Sequence, residues 1–186
     1  RGLGQYFGRA LAKAGADLVI TSRNMDALQD FKAEIEALGR QALPVELDVL
    51  SYESIQNLVV QTMAAYGKID ILVNNAGCNI RKPAMEITWE DWNTVLDTNL
   101  RGSFFVAQAV AGEMIPRKYG RIINIASVTS VFGYAGITPY CASRGGVKQM
   151  TMSLADEWGI HGITVNCLAP GWFKTDQNKV LYEDRE

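Results

Sequence analysis

Short apolar runs rich in β-branched residues alternate along the chain with longer stretches of helical period, and no repeat or low-complexity linker interrupts them. That alternation predicts βαβ units and a parallel sheet. Candidate strands are 17–21, 42–47, 69–73, 121–126 and 163–168, mostly continuous apolar runs, as strands buried on both faces require. Leu28, Phe31, Ile35 and Leu38 form one helical stripe, opened near Asn24 and closed by Gly39. Ile55, Leu58, Val59 and Met63 form another, opened by Ser51 and closed by Gly67. Thr88 is placed to cap a long helix through Trp92, Val95 and Leu96, continuing with a break at Gly102 toward Met114. A last helix over 139–158 has Val147, Met150 or Thr151, and Leu154 as its stripe, and the tryptophans and methionines stand at core spacing.

Both ends depart from this pattern. Arg1-Gly2-Leu3-Gly4 leads directly into a stripe of Leu3, Phe7, Ala10, Leu11 and Ala14 with no strand before it, and 180–186 reads as the start of an element. These features suggest a single domain over 1–186, incomplete at both termini.

Composition narrows the function. Of 186 residues 48% are hydrophobic and 20% charged, and 18 Lys+Arg against 20 Asp+Glu leave a formal charge of −2. Such a chain can bury a sizeable core, and its mild acidity weighs against nucleic acid and anionic membrane partners. No run approaches the roughly 18 apolar residues of a membrane span, and 1–15 holds too many glycines and charges for a signal peptide, so a cytoplasmic protein is expected. Cys78, Cys141 and Cys167 are too scattered for a disulfide framework or a metal-binding pair. With His161 the single histidine, zinc and Ser-His-Asp chemistry are disfavoured and no metal is expected. His161 itself reads as a helix-end residue, and any general acid or base falls to Tyr, Lys or a carboxylate.

The polar clusters follow the candidate strands, which places them along the carboxyl edge where doubly wound folds bind ligands. They are Ser22-Arg23, Asp48-Val49, Asn74-Asn75-Ala76-Gly77, Ser127 and Pro170-Gly171, with Asn99 and Tyr140 on the helices that follow. Gly2-x-Gly4 fits either the tail of a phosphate-binding turn or an ordinary loop.

Gly2-Leu3-Gly4, Asn74-Asn75-Ala76-Gly77, Asn99, Ser127, Tyr140 and Pro170-Gly171 with Thr175 occur in the order and spacing of the short-chain dehydrogenases/reductases, and the chain resembles that family over essentially all its length. The resemblance implies an α/β fold, a Rossmann-type doubly wound parallel sheet in three αβα layers. Its first, central strand would lie before Arg1, between the strands ending near Thr21 and Val73, and without it the sheet would be split. Tyr140 would be the general acid toward a substrate carbonyl and the base in the reverse direction. Ser127, with Ser130 as the nearby alternative, would hydrogen-bond the substrate oxygen. Asn99 would bend its helix and hold a water, or simply back-bond.

One residue departs from the family. A phenol titrates near ~10 and is a poor base at neutral pH, so the family sets a lysine four residues after the tyrosine, and here Arg144 stands there. A cation at 4 Å is worth about 4 kcal/mol gross at an effective dielectric near 20, and arginine supplies that charge as well as lysine. It does not readily pass a proton onward, and its planar fork needs more room. Lower turnover or an upward shift of the pH optimum is expected.

Cofactor and substrate follow from the same resemblance. Gly2, Leu3 and Gly4 would meet the pyrophosphate, Asp48 and Val49 the adenine, and Asn75, Ala76 and Gly77 the ribose. Tyr140 and Arg144, with Pro170, Gly171 and Thr175, would line the nicotinamide side. Ser22 and Arg23 stand where an NAD enzyme offers a carboxylate, which favours NADP(H) over NAD(H). The segments Cys78-Asn79-Ile80-Arg81-Lys82-Pro83 and Trp172-Phe173, with Asn178-Lys179 and Leu181, resemble the gluconate 5-dehydrogenase branch. Arg81 or Lys82 would meet a sugar-acid carboxylate or form a basic surface loop. The small-molecule carbonyl or alcohol substrate has 3-oxoacyl carrier-protein thioesters as its rival class, and a noncatalytic dinucleotide-binding module is the alternative, supported by Arg144 alone and opposed by the intact Ser127 and Tyr140. A homotetramer packed through 103–114 and 140–158 is also implied.

Overall fold

The computed structural model describes residues 2–173. Its elements are α1 (Leu3–Lys13), β1 (Leu18–Ser22), α2 (Gln29–Ala37), β2 (Ala42–Glu46), α3 (Tyr52–Tyr66), β3 (Ile71–Asn74), α4 (Trp89–Leu96), α5 (Gly102–Met114), β4 (Gly120–Ile125), α6 (Thr138–Gly159) and β5 (Ile163–Leu168). The five predicted strands are present with ends shifted by a residue or two, and every pairing is parallel. They form two sheets, ordered β1-β2 and β3-β4-β5, each within its own compact unit. The fold is α/β of Rossmann type.

In the first unit, which ends at Gly67, β1 and β2 are covered by helices around Leu18, Ile20, Leu28, Phe31 and Ile35. The stripe expected on α1 is buried only in part, with Leu11 packed against the core. Ala10 and Ala14 are exposed, Leu3, Phe7 and Leu11 are half-buried, and Ala12 is buried. The reason is Gly8, whose missing Cβ would lie 2.6 Å from the Phe31 ring, so close approach at Gly8 turns Ala12 inward. Pro44 lies inside β2 and lacks an N–H, which an edge strand tolerates, and β2 pairs with β1 alone. Ser51 caps α3 by accepting from the Ser54 N–H at 3.2 Å, and Gly67 closes it at φ 68°.

The second unit, Lys68–Phe173, packs α5 and α6 on β3, β4 and β5 around Val106, Met114, Ile122, Val147 and Ile163. Thr88 caps α4 in a capping box with Asp91, as its position predicts. The break beyond α4 is a π-helical turn at Asp97–Arg101, and Gly102 begins the next helix. On α6, Thr151 rather than Met150 completes the buried stripe. The core reading of the tryptophans and methionines holds for Trp158 and Met114 and fails for Met85, Trp89, Trp92, Met152 and Trp172, which are exposed. Met85 sits in a 3-10 turn and Trp89 at the first helical position, outside the packed face of α4.

Gly162 turns the chain from α6 into β5 at φ 73°, and a Cβ there would lie 2.3 Å from the Lys118 carbonyl oxygen. Gly162→Ala is expected to cost at least about 1–3 kcal/mol from backbone strain alone. Urea denaturation measures it, and an unchanged midpoint would contradict the close approach.

Candidate active site

Chemistry-bearing residues of the second unit gather where β3, β4 and β5 end. Ser127 follows β4 and caps the 3-10 turn Val128–Ser130, its Oγ accepting from the Thr129 N–H at 3.2 Å. That turn is tied to the end of β5, because the Val128 N–H donates to the Pro170 carbonyl at 3.1 Å. Tyr140 and Arg144 occupy successive turns at the start of α6, which Pro139 pre-organises. Tyr140 is half-buried, and the Arg144 guanidinium carbon lies 5.1 Å from the centroid of its ring.

Arg144 is 4% exposed. Its Nη1 donates to the Ile125 carbonyl at 2.7 Å, and its Nε is buried without a partner. Among the described residues no carboxylate lies within 4.0 Å of it. Nη2 lies over Gly77, where a Cβ would meet it at 2.2 Å and the Asn99 Oδ1 at 3.1 Å. The last glycine of the Asn74-Asn75-Ala76-Gly77 turn is therefore needed for room beside the cation.

Asn99 sits in the π turn with 0% exposure. Its Oδ1 accepts from the Cys78 N–H at 2.8 Å, and its Nδ2 donates to the Cys78 carbonyl at 2.9 Å and to the Ser143 Oγ at 3.0 Å. Both amide hydrogens are thus spent within the protein. Sequence reasoning missed the groups that hold this arrangement. Ser143 Oγ donates to the Tyr140 carbonyl at 2.8 Å, and Ser130 Oγ donates to the Arg144 carbonyl at 2.9 Å. Deeper in, Asn74 Nδ2 donates to Asn124 Oδ1 at 2.9 Å and to the Ser103 carbonyl at 3.1 Å, and Asn124 Nδ2 donates to Thr151 Oγ1 at 2.9 Å. The available signal was a polar residue breaking each apolar strand, Asn74 in β3 and Asn124 in β4, which pair in register.

The other predicted residues divide by position. Gly2, Leu3, Gly4, Ser22, Arg23, Asp48 and Val49 belong to the first unit. Gly2 caps α1 at φ 61° with no side-chain hydrogen bond, and nothing within 4 Å meets its absent Cβ. Ser22 Oγ accepts from the Asn24 N–H, while Arg23 is exposed with no carboxylate within 4.0 Å among the described residues. An open glycine turn and a hydroxyl beside an unpaired cation fit a phosphate-bearing dinucleotide. Asp48 is occupied with its own turn, its Oδ1 accepting from the Leu50 N–H. Asn75, Ala76, Gly77, Pro170 and Gly171 follow β3 and β5, and Thr175, Asn178, Lys179 and Leu181 lie outside the described residues. Of the two basic candidates, Lys82 is paired with Asp91, and Arg81 is exposed. Burial pushes the Cys167 thiol up, away from a reactive thiolate. Among the described residues no group of three His, Cys, Asp or Glu could hold a metal, and no helix is long and apolar enough to cross a membrane.

The short chain dehydrogenase family profile matches residues 1–186. The chain is 41% identical over 186 residues to gluconate 5-dehydrogenase of Gluconobacter oxydans, covering 100% of this chain and 73% of that one. It is 38% identical over 184 residues to 5-keto-D-gluconate 5-reductase of Escherichia coli, covering 99% of this chain and 72% of that one. Its backbone is similar to the crystal structure of a gluconate 5-dehydrogenase from Burkholderia cenocepacia in complex with NADP and tartrate. There the TM-score is 0.95 at 39% identity, over 100% of this chain and 72% of that chain.

The loop below this site offers a pH test. The Lys82 ammonium, with the Thr88 N–H, holds the Asp91 carboxyl below the usual range. A carboxyl lowered on folding adds stability that is fully present above its unfolded value near ~3.9 and is lost as pH falls through the folded one. The stability difference between the unmodified chain and Asp91→Asn should therefore be largest above about pH 5 and shrink toward about pH 3. Denaturant titration across that window measures it, and a constant difference would contradict the pairing.

Proposed function

The chain belongs to the short-chain dehydrogenases and is an oxidoreductase of CH–OH groups, and from that premise we propose that it interconverts a sugar acid or polyol of the gluconate/5-keto-gluconate kind with its ketone, using NADP(H). The observation that carries the reading is the buried Arg144 guanidinium, with no carboxylate partner among the described residues, against the ring of Tyr140. The relatives' names support the substrate class. Ser22 and Arg23, with no carboxylate where β1 ends, support NADP(H), as does the NADP held by the Burkholderia structure.

NADP(H), when bound, supplies or accepts the hydride. Gly2, Leu3, Gly4, Ser22, Arg23, Asp48 and Val49 would hold its adenosine phosphate half, and Asn75, Ala76, Gly77, Pro170, Gly171 and Thr175 its nicotinamide half. In the reductive direction Tyr140 gives its phenolic proton to the carbonyl oxygen, and in the oxidative direction it takes the alcohol proton. Ser127 donates to the same oxygen, for its Oγ accepts from Thr129 and keeps its own proton. Arg144 would set a permanent positive charge against the Tyr140 ring. Arg81 would meet the substrate carboxylate, since Lys82 is held by Asp91.

The same reading takes the protein as a cytoplasmic homotetramer. It is supported by an open groove of about 670 Å³ lined by Leu96, Leu100, Phe104 and Met150, on the helices the family uses to assemble.

A spectrophotometric assay with NADPH and NADH against 5-keto-gluconate and an acetoacetyl thioester tests the activity. NADPH oxidation with the keto acid is the expected result. Turnover of the thioester alone would assign the rival substrate class, and silence with both while NADPH still binds by fluorescence would favour a noncatalytic binding module. Arg144→Lys should raise turnover near neutral pH about ten-fold, or about 1.4 kcal/mol in barrier. Steady-state kinetics measures this, and an unchanged or lower rate would show that arginine does not limit the reaction.

A further inference from the structure

We infer that Ser143 is a positioning residue for the proposed oxidoreduction, its hydroxyl coupling the π turn at Asn99 to the helical turn that bears Tyr140. The inference rests on the oxidoreductase reading above. Ser143 is fully buried and touches neither the phenolic oxygen of Tyr140 nor Ser127 in any hydrogen bond of the described residues. Its Oγ–H donates to the Tyr140 carbonyl while its Oγ accepts from Asn99 Nδ2. Asn99 in turn grips both the N–H and the carbonyl of Cys78, the residue after Gly77. A continuous series of bonds thus runs from the end of the Asn75-Ala76-Gly77 turn, through the π turn, into α6.

The order of donors makes Ser143 hard to replace. Its hydroxyl must donate and accept at once, and bonds in such a chain polarise one another. Alanine would remove both functions, leaving one buried Asn99 amide hydrogen with no acceptor. The side chain would then have to turn away from Cys78, or the π turn relax. π turns are uncommon and persist where their surroundings fix them. Ser130 holds the other side of the same helical turn through the Arg144 carbonyl, so without Ser143 the turn keeps one anchor and loses its link to Asn99. The resulting displacement falls on Tyr140, and misplacing a reacting group by 1 Å can cost ~100-fold in rate.

The test uses the full chain. Ser143→Ala should lower kcat about ten-fold while KM for the keto acid and Kd for NADPH stay within about two-fold, the signature of an interaction realised at the transition state. Ser143→Thr, which keeps the hydroxyl, should recover much of the loss. Hydrogen exchange gives a second readout. Ser143→Ala should speed exchange in residues 97–101 and 138–144 together, and Ser153→Ala, on the exposed face of α6, should change neither. Unchanged kcat, a rise in KM alone, or unchanged exchange in 97–101 would each overturn the inference. Absence of turnover in the unmodified chain with every carbonyl would sink the functional reading instead, and the exchange experiment would still decide the coupling.

Discussion

A buried cation with no counter-ion among the described residues is the constraint on which the second unit depends. Taking a guanidinium out of water costs several kcal/mol, and Arg144 recovers only part of it. One hydrogen bond from a charged donor, to the Ile125 carbonyl, is worth about 1.5–3 kcal/mol. The face of the Tyr140 ring adds about 2 kcal/mol where it is desolvated. The partnerless Nε takes back about 1–3 kcal/mol. The sum gives stability no reason to keep arginine here, so its presence points to the charge itself, held against the ring of Tyr140, the general acid of the proposed reaction.

Holding that charge dictates the neighbours. Gly77 can carry no side chain, because Nη2 fills the space a Cβ would need. The carbonyl at the end of β4 must face α6, and it does so because the Ala126 N–H beyond it continues the pairing with Leu168 and keeps the strand straight. Beneath, Asn74, Asn124 and Thr151 join β3, β4 and α6 by hydrogen bonds across the buried interior, fixing the platform on which Ser127 and Tyr140 stand. Each polar group there has a partner on a different element, which is how a polar interior confers one geometry rather than several.

Much of this was legible in the sequence, and the limit is physical. The strands were readable because each is a short, mostly apolar run, and the caps at Ser51 and Thr88 because a hydroxyl before an apolar stripe has few other uses. Ser22, Asp48, Asn74 and Ser127 were readable because each stands at or just after the end of a strand, while Asn99, Tyr140 and Arg144 lie on the helical segments that follow. The buried face of α1 was not, since its apolar period is ambiguous and the decision was made by the contact of Gly8 with Phe31. Nor were the π turn and the roles of Ser130 and Ser143, because hydrogen bonds between residues 14 to 44 positions apart leave no period to detect. Lys82 looked like a substrate ligand until Asp91, nine residues on, was seen to hold it.

The same geometry separates two tasks that one lysine performs in the family. A lysine beside the tyrosine can both favour negative charge on the phenol and pass a proton onward. Arg144 keeps a permanent charge against the Tyr140 ring but does not readily pass a proton onward, and its Nη1 is tied to a carbonyl. The Asn99 side chain cannot take over, because both of its amide hydrogens are bound to Cys78 and Ser143. Within the hydrogen bonds of the described residues no side chain connects the Tyr140 phenol to either group. Tyr140 is half-buried, and in its proposed role its proton would pass directly to substrate or water rather than through a wire of protein groups.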